Sequence, residues 1–348
     1  MRPKISVCIP AYNRPELLPP LLDSIVSQDY QSYNIVICED DSPKRSEIGK
    51  VAYQYIDQYP GLIQYYENES NLGFDGNVRR LFEKADGEYC LFMGNDDLMC
   101  PKALSIVGAA LERYHQVGVV MRSYATFEGS PDNLKQIHRY FATERFFPAG
   151  AETIVTFYRR LVVLPGVTIH RESALPYATD RFDGTALYQV YLVANILVDK
   201  NGLFLPEILT LNRHGGIPDL GNSPKERGRF VPTEQTPESS VYFVAGMLEI
   251  AKYIEENRGI KVYEKILQDI GNYSYPILSI QAKRSLAVFL RYAYRLARLG
   301  FWKNVKFYLY VLSLMILGPE RMDQVISRIK NKLGFTPVFG RISTGRAH

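Results

Sequence analysis

ISVCIPAYNRPELLPPLLDSIVSQ, residues 5–28, is the stretch on which the reading of the fold turns. Ile5 to Ile9 form a short apolar run that stops at Pro10, which reads as a buried strand. After a polar turn, Leu17, Leu18, Leu21, Leu22 and Ile25 recur at helical spacing. Pro15 suits a first helical turn, and Pro19 and Pro20 push the start later. The same strand–turn–helix unit repeats outward. Residues 34–38, 62–67 and 88–93 read as strands, and residues 48–59, 76–85 and 101–114 as helices. Short connections between alternating strands and helices predict a parallel sheet covered by helices on both faces, with right-handed crossovers.

In such sheets ligands bind beyond the carboxyl ends of the strands. The polar clusters fall there: residues 11–14, 39–42, 68–73 and 94–97. Four loops at one edge predict one site. Asn95-Asp96-Asp97 puts two carboxylates side by side, which repel unless a cation joins them. Mn²⁺ and Mg²⁺ favour such oxygen ligands together with substrate phosphates. An Asx turn capping the next helix uses the same residues. Glu39-Asp40-Asp41-Ser42 is too acidic for phosphate; its carboxylates suit base N–H groups or ribose hydroxyls, or cap the following helix.

Taken in order, ISVCIPAYNRPELL (5–18), IVICEDDS (35–42) and ADGEYCLFMGNDDL (85–98) resemble the family 2 glycosyltransferases, nucleotide-sugar enzymes of the GT-A fold. The resemblance covers residues 4–115 and thins beyond. It implies an α/β, Rossmann-like, mostly parallel sheet flanked by helices, and inverting transfer of a hexosyl or deoxyhexosyl group. It implies that Pro10, Ala11, Tyr12, Asn13 and Arg14 line the base and phosphates, and that Glu39 and Asp40 hold base or ribose. Asn71, Gly73 and Asn77 would sit near nucleotide or sugar. Asp97 would be the main ligand of a divalent metal, Mn²⁺ or Mg²⁺, with Asp96 on the ribose or donor sugar and His214 reaching the metal or diphosphate. The family's base, normally in a Glu-Asp pair, falls in residues 181–189, where Tyr188-Gln189 stand instead; Asp183 is the candidate, Asp180 the second. Asp183 equally suits a helix cap. Gly94 stands where the family often has Asp, and Asp41 where Gly is usual.

The 348 residues divide into an expected GT-A domain, 1–240, and a helical, basic region, 241–348. Residues 1–115 would form the nucleotide-binding half of the domain and 116–240 the acceptor-binding half. Strands are expected over 117–121, within 160–170 and over 203–212, and a helix over 185–198, with a polar loop over 214–240 whose stretch 214–230 suits either a lid or a solvated basic loop. The net charge of +4 is uneven: residues 281–348 hold 13 Lys/Arg against 2 Asp/Glu, and residues 1–280 hold 28 against 35. Within that basic end, residues 307–317 are nearly all apolar, yet too few for a span of about 20 residues. Beside packing as a covering helix, they fit a helix lying in an anionic membrane interface. That reading favours a lipid-linked acceptor over nucleic acid, and the resemblance points the same way, towards O-antigen or capsule assembly on a polyprenyl diphosphate carrier. Cys8, Cys38, Cys90 and Cys100 lack metal-type spacing and read as free thiols in a reducing compartment. With only residues 5–9 apolar after the charged start, no leader is read, and the expected place is the cytoplasm, peripheral on the inner face of the membrane.

Two alternatives stand beside the transferase. A nucleotidyltransferase would carry a Gly-rich phosphate loop after the first strand, where residues 10–14 have no glycine. A non-catalytic nucleotide-sugar-binding protein on the same scaffold would bind donor and release no nucleotide.

Overall fold

The computed structural model describes residues 3–213, 220–333 and 343–347. β1 (Ile5–Ala11), α1 (Leu18–Val26), β2 (Tyr33–Glu39), α2 (Arg45–Gln58), β3 (Ile63–Glu67), α3 (Gly73–Lys84) and β4 (Tyr89–Phe92) alternate as the sequence predicts. They build a wholly parallel block in the order β4-β1-β2-β3. Pro19 and Pro20 fall in the first turn of α1, where an amide hydrogen has no helical partner to lose.

After β5 (Leu98–Met99) and α4 (Ala103–Arg113) come β6 (Val117–Glu128), β7 (Ser130–His138), β8 (Arg145–Phe147), α5 (Ala151–Tyr158), β9 (Thr168–His170), α6 (Arg171–Ala174), α7 (Tyr188–Ile196) and β10 (Asn201–Arg213). β9 stitches the halves together, antiparallel to both β4 and β6. β6 and β10 pair in parallel, whereas β5, β7 and β8 add antiparallel partners. The sheet is therefore parallel in its first four long strands, β1 to β4, and mixed beyond. Only part of the strand expected over 160–170 forms. Arg159–Leu161 is a 3₁₀ turn, and Gly166, at φ +81°, turns the chain into β9.

The remaining helices are α8 (Pro237–Arg258), α9 (Tyr263–Asn272), α10 (Tyr275–Ala282), α11 (Leu286–Arg298), α12 (Val305–Leu317) and α13 (Pro319–Leu333). A short β11 (Arg346–Ala347) pairs with β8.

Alternation along β1 feeds two cores, as period two requires. Ile5, Val7 and Ile9 pack with α1, α2 and α4 on one face. Cys8 packs on the other face with α3, α5, α7 and the helices from α8 onward. Buried on both faces, the parallel strands need the continuous apolar runs that the sequence shows. α7 lies between sheet and α8 and is buried all round. Cys8, Cys38 and Cys90 are buried free thiols, as expected, and Cys100 is partly buried.

Candidate active site

The carboxyl ends of β1, β2 and β4 and the end of β10 open onto one cavity of about 450 Å³. That is a usual size for a small-molecule site.

After β1, Asn13 and Arg14 both take left-handed backbone, φ +52° and +55°. Non-glycine residues pay for this conformation, so something must hold them. Asn95 does: its Nδ2 donates to the carbonyls of Tyr12 at 3.0 Å and Asn13 at 3.2 Å. Arg14 Nη1 then donates to Asp96 Oδ2 at 2.5 Å. The first and last motifs are thus tied together across the edge. Pro10, Tyr12 and Arg14 line the cavity, while Ala11 is buried in β1 and its carbonyl accepts from Asp40 N–H at 3.1 Å.

After β2, the two acids divide. Glu39 is fully buried, and its carboxylate accepts from Asp41 N–H, Ser42 N–H and Arg45 Nε at 3.0, 2.7 and 2.6 Å. It shapes the loop from below and does not line the cavity. Asp41 sits at φ +50°, a conformation glycine adopts freely and Asp tolerates. Asp40 lines the cavity and accepts from Leu72 N–H, Gly73 N–H and Asn68 Nδ2 at 2.8, 2.9 and 2.8 Å. Burial raises its pKa to about 6 despite those three donors. Asn71 Nδ2 donates to the Asp40 carbonyl at 2.7 Å, and Asn77 Nδ2 to the Cys38 carbonyl at 3.0 Å. Asn71, Gly73 and Asn77 all line the cavity.

After β4, Asp97 is buried and accepts from Arg213 N–H at 3.0 Å; Arg213 Nε donates to the Asp96 carbonyl at 3.3 Å. Burial and the neighbouring Asp96 push the Asp97 carboxyl well above the ordinary range, against the pull of the Arg213 N–H and of fully buried Arg122. A Cβ on Gly94 would lie 2.6 Å from Asp97 Oδ2, so only glycine leaves that oxygen its room. With Asp96 paired to Arg14, Asp97 is the carboxylate suited to a divalent cation. No cluster of three or more His, Cys, Asp or Glu occurs among the described residues. The donor set is one or two carboxylates, which is what Mg²⁺ or Mn²⁺ takes when substrate phosphates complete its shell. His214 lies outside the described residues.

The expected base is placed differently. Asp183 does not line the cavity. Its carboxylate receives Arg79 through Nη1 at 2.7 Å and Nη2 at 3.0 Å, and Lys225 Nζ at 2.6 Å. Burial alone would raise its pKa; the Arg79 pair and Lys225 overcome this and hold it below the ordinary value. A carboxylate held ionised by two cations is a poor proton acceptor. Asp180 is exposed and also outside the cavity. Neither Asp183 nor Asp180 is thus among the residues that line the cavity. Asp183 instead anchors the loop bearing Lys225 and Arg229, whose Nη1 donates to the Asp183 carbonyl at 3.1 Å.

Three features escaped the sequence reading. Glu226 lines the cavity, with Phe74 N–H at 2.9 Å and Gly221 N–H at 2.8 Å on its oxygens; it comes from a loop without periodicity. Val162, Val163, Leu164 and Pro165 form an apolar wall where a strand was expected. Gln189 joins that wall from the first turn of α7. The missing Glu-Asp pair was the available signal for it.

Residues 6–172 match the family model described as Glycosyl transferase family 2. The abequosyltransferase RfbV of Salmonella typhimurium is 35% identical over 108 residues, 31% of this chain and 32% of that protein. The GalNAc(5)-diNAcBac-PP-undecaprenol beta-1,3-glucosyltransferase of Campylobacter jejuni is 32% identical over 117 residues, 33% of this chain and 37% of that protein. The matched stretch thus spans about a third of each relative's length. In fold, the chain is similar to S. aureus TarS 1–349, solved in complex with UDP-GlcNAc: TM-score 0.57, 16% identity, 97% of this chain and 94% of that one. With the three motifs gathered at one sheet edge, residues 6–172 form a glycosyltransferase family 2 region on the GT-A fold.

Proposed function

We propose that this enzyme transfers a sugar, with inversion, from a nucleotide diphosphate donor to a polyprenyl-linked glycan in bacterial surface-polysaccharide assembly. One observation carries the reading. The loops after β1, β2 and β4 and the start of α3 bring Arg14, Asp40, Asn71, Gly73 and Asp97 to a single cavity.

The roles follow from the chemistry of each group. Asp40 and the Asn71 amide offer hydrogen bonds to a base or ribose, from a loop that Glu39 holds rigid. Pro10 and Tyr12 line the wall on which base and phosphates would rest, Ala11 and Asn13 carry the backbone of that turn, and Asn77 lines the same cavity as Asp40. Arg14 and Arg213 flank Asp96 and supply positive charge beside the diphosphate. Asp97, with Asp96 adjacent, would hold Mn²⁺ or Mg²⁺, which offsets the charge developing on the leaving diphosphate.

The acceptor reading draws on the Campylobacter relative, whose name places its acceptor on undecaprenol diphosphate. It draws also on the apolar, basic outer face of the C-terminal helices, which suits a peripheral position on the cytoplasmic side of the membrane. No helix among the described residues is long and apolar enough to cross a membrane.

A panel of UDP-, dTDP-, CDP- and GDP-sugars, screened by thermal shift with and without Mn²⁺, tests the donor site. One of them should raise the melting temperature, and only with metal, through mass action. Asp97→Asn should remove that metal-dependent rise and slow transfer roughly 100-fold, the loss expected of a metal's electrostatic help. Equal metal-dependent binding by wild type and Asp97→Asn would overturn the proposal. Donor that binds and never releases nucleotide would point to the non-catalytic reading.

A further inference from the structure

The cavity lining is chemically divided. The loops at the strand ends contribute carboxylates and amides. Val162, Val163, Leu164, Pro165, Ala186 and Phe243 contribute carbon, and among them stands one polar side chain, Gln189. It is 1% exposed. Its Nε2 donates to the Val162 carbonyl at 2.9 Å, which fixes the plane and sense of the amide. The oxygen at the other end, Oε1, is buried and has no hydrogen-bond partner among the described residues. Leaving a buried acceptor unmet is costly, and native structures rarely do so without a reason. The bond to Val162 accounts for the nitrogen of this amide, and nothing among the described residues accounts for its oxygen.

We infer that Gln189 Oε1 accepts a hydrogen bond from a hydroxyl of the sugar bound in this cavity. The wall around it is carbon, so the sugar presents one hydroxyl here and otherwise C–H groups, as a deoxy sugar or the apolar face of a pyranose does. Gln189 binds and orients; an amide oxygen takes no proton at neutral pH, so it is not a substitute base. The inference rests on the cavity being a nucleotide-sugar site.

Gln189→Met keeps the length and buries well, but removes the acceptor together with the Nε2 donor to the Val162 carbonyl, which is why the nucleoside diphosphate serves as the control. Using the donor that the panel identifies, binding of its nucleoside diphosphate with Mn²⁺ should match wild type by calorimetry, which also reports that the variant folds. If the hydroxyl belongs to the donor sugar, the intact nucleotide sugar should bind about tenfold more weakly. If it belongs to the acceptor, donor affinity should hold and the acceptor KM should rise about tenfold. A deoxy analogue lacking the responsible hydroxyl should show the same loss with wild type and no further loss with Gln189→Met; a merely structural role would add to it. Wild-type affinity for both substrates in Gln189→Met overturns the inference. Failure of the nucleoside diphosphate to bind wild-type protein overturns the site itself, and is seen separately.

Discussion

Asp183 shows how one side chain changes meaning between sequence and structure. In sequence it is an acid beside Gly184 before a helix, which suits a base or a cap. In the fold it closes an ion cluster with Arg79 and Lys225. Gly184 is needed beside it: at φ +84°, a Cβ there would lie 2.4 Å from the Lys225 carbonyl and from Arg229 Nη1. The Asp183 pKa lies below 3.8 in the folded chain. Its stabilisation is therefore fully present above about pH 4 and is lost as pH falls through the folded-state value. Asp183→Asn should cost about 2–3 kcal/mol at neutral pH, a loss that shrinks on acidification, and should make the 220–230 loop easier to cleave. Transfer should survive in the folded variant. Lost transfer with unchanged melting would return the base to this residue. Gly94 is the second case. In sequence an acid there restores the longer metal motif of the family, yet its Cβ would lie 2.6 Å from Asp97 Oδ2. Gly94→Asp should therefore slow nucleotide release roughly tenfold or more, because sub-ångström placement of Asp97 is lost; faster release would contradict this.

At the scale of elements, α3 holds the start of α7, and the loop bearing Glu226 holds the start of α3. α7 has no side-chain cap of its own. Asp75, in the first turn of α3, accepts from Gly184, Ala186 and Tyr188 N–H groups, each at 2.9 Å. Burial raises the Asp75 pKa to about 6 in spite of those bonds. Glu226 in turn accepts from Phe74 N–H at the start of α3. Asp75→Ala would leave three buried donors unmet and should cost about 2–4 kcal/mol, seen as a lower midpoint in denaturant with an unchanged slope. A loss below about 0.5 kcal/mol would mean that α7 does not depend on this cap. The sequence showed that a helix begins near 185. It did not show its cap, which lies more than 100 residues upstream and is contributed by chain reversal.

At the scale of the molecule, the inner face of the C-terminal helices completes the core, and their outer face does not. α12 buries Phe307 and Leu314, while Val305, Leu309, Leu312 and Ile316, at i, i+4, i+7 and i+11, stand 53–78% exposed. Trp302 at the preceding corner and Leu286, Leu290 and Tyr294 along α11 are exposed as well. Arg291, Arg298, Lys303, Arg321 and Arg328 are exposed among them. An apolar stripe within a basic collar suits shallow burial in anionic lipid. Leu309→Glu with Leu312→Glu should fold normally, since both sites are exposed. It should release the protein from phosphatidylglycerol vesicles in co-sedimentation, with partitioning down by about tenfold or more. Equal partitioning of variant and wild type would show that lipid does not cover this face.

The sequence by itself determined the parallel βαβ block, because period-two and period-3.6 patterns are local and buried strands must be apolar on both faces. It determined the four edge loops too, since a polar run after a strand has one place to go in such a sheet. Only the tertiary structure decided which acids face the cavity. Glu39 and Asp40 are neighbours in sequence, yet one supports the loop and the other lines the site. Asp183 became an anchor and Gln189 part of the wall through contacts with residues far along the chain. The antiparallel strands of the second half were also decided there. They are short, and their pairing is set by neighbours whose identity no local pattern records.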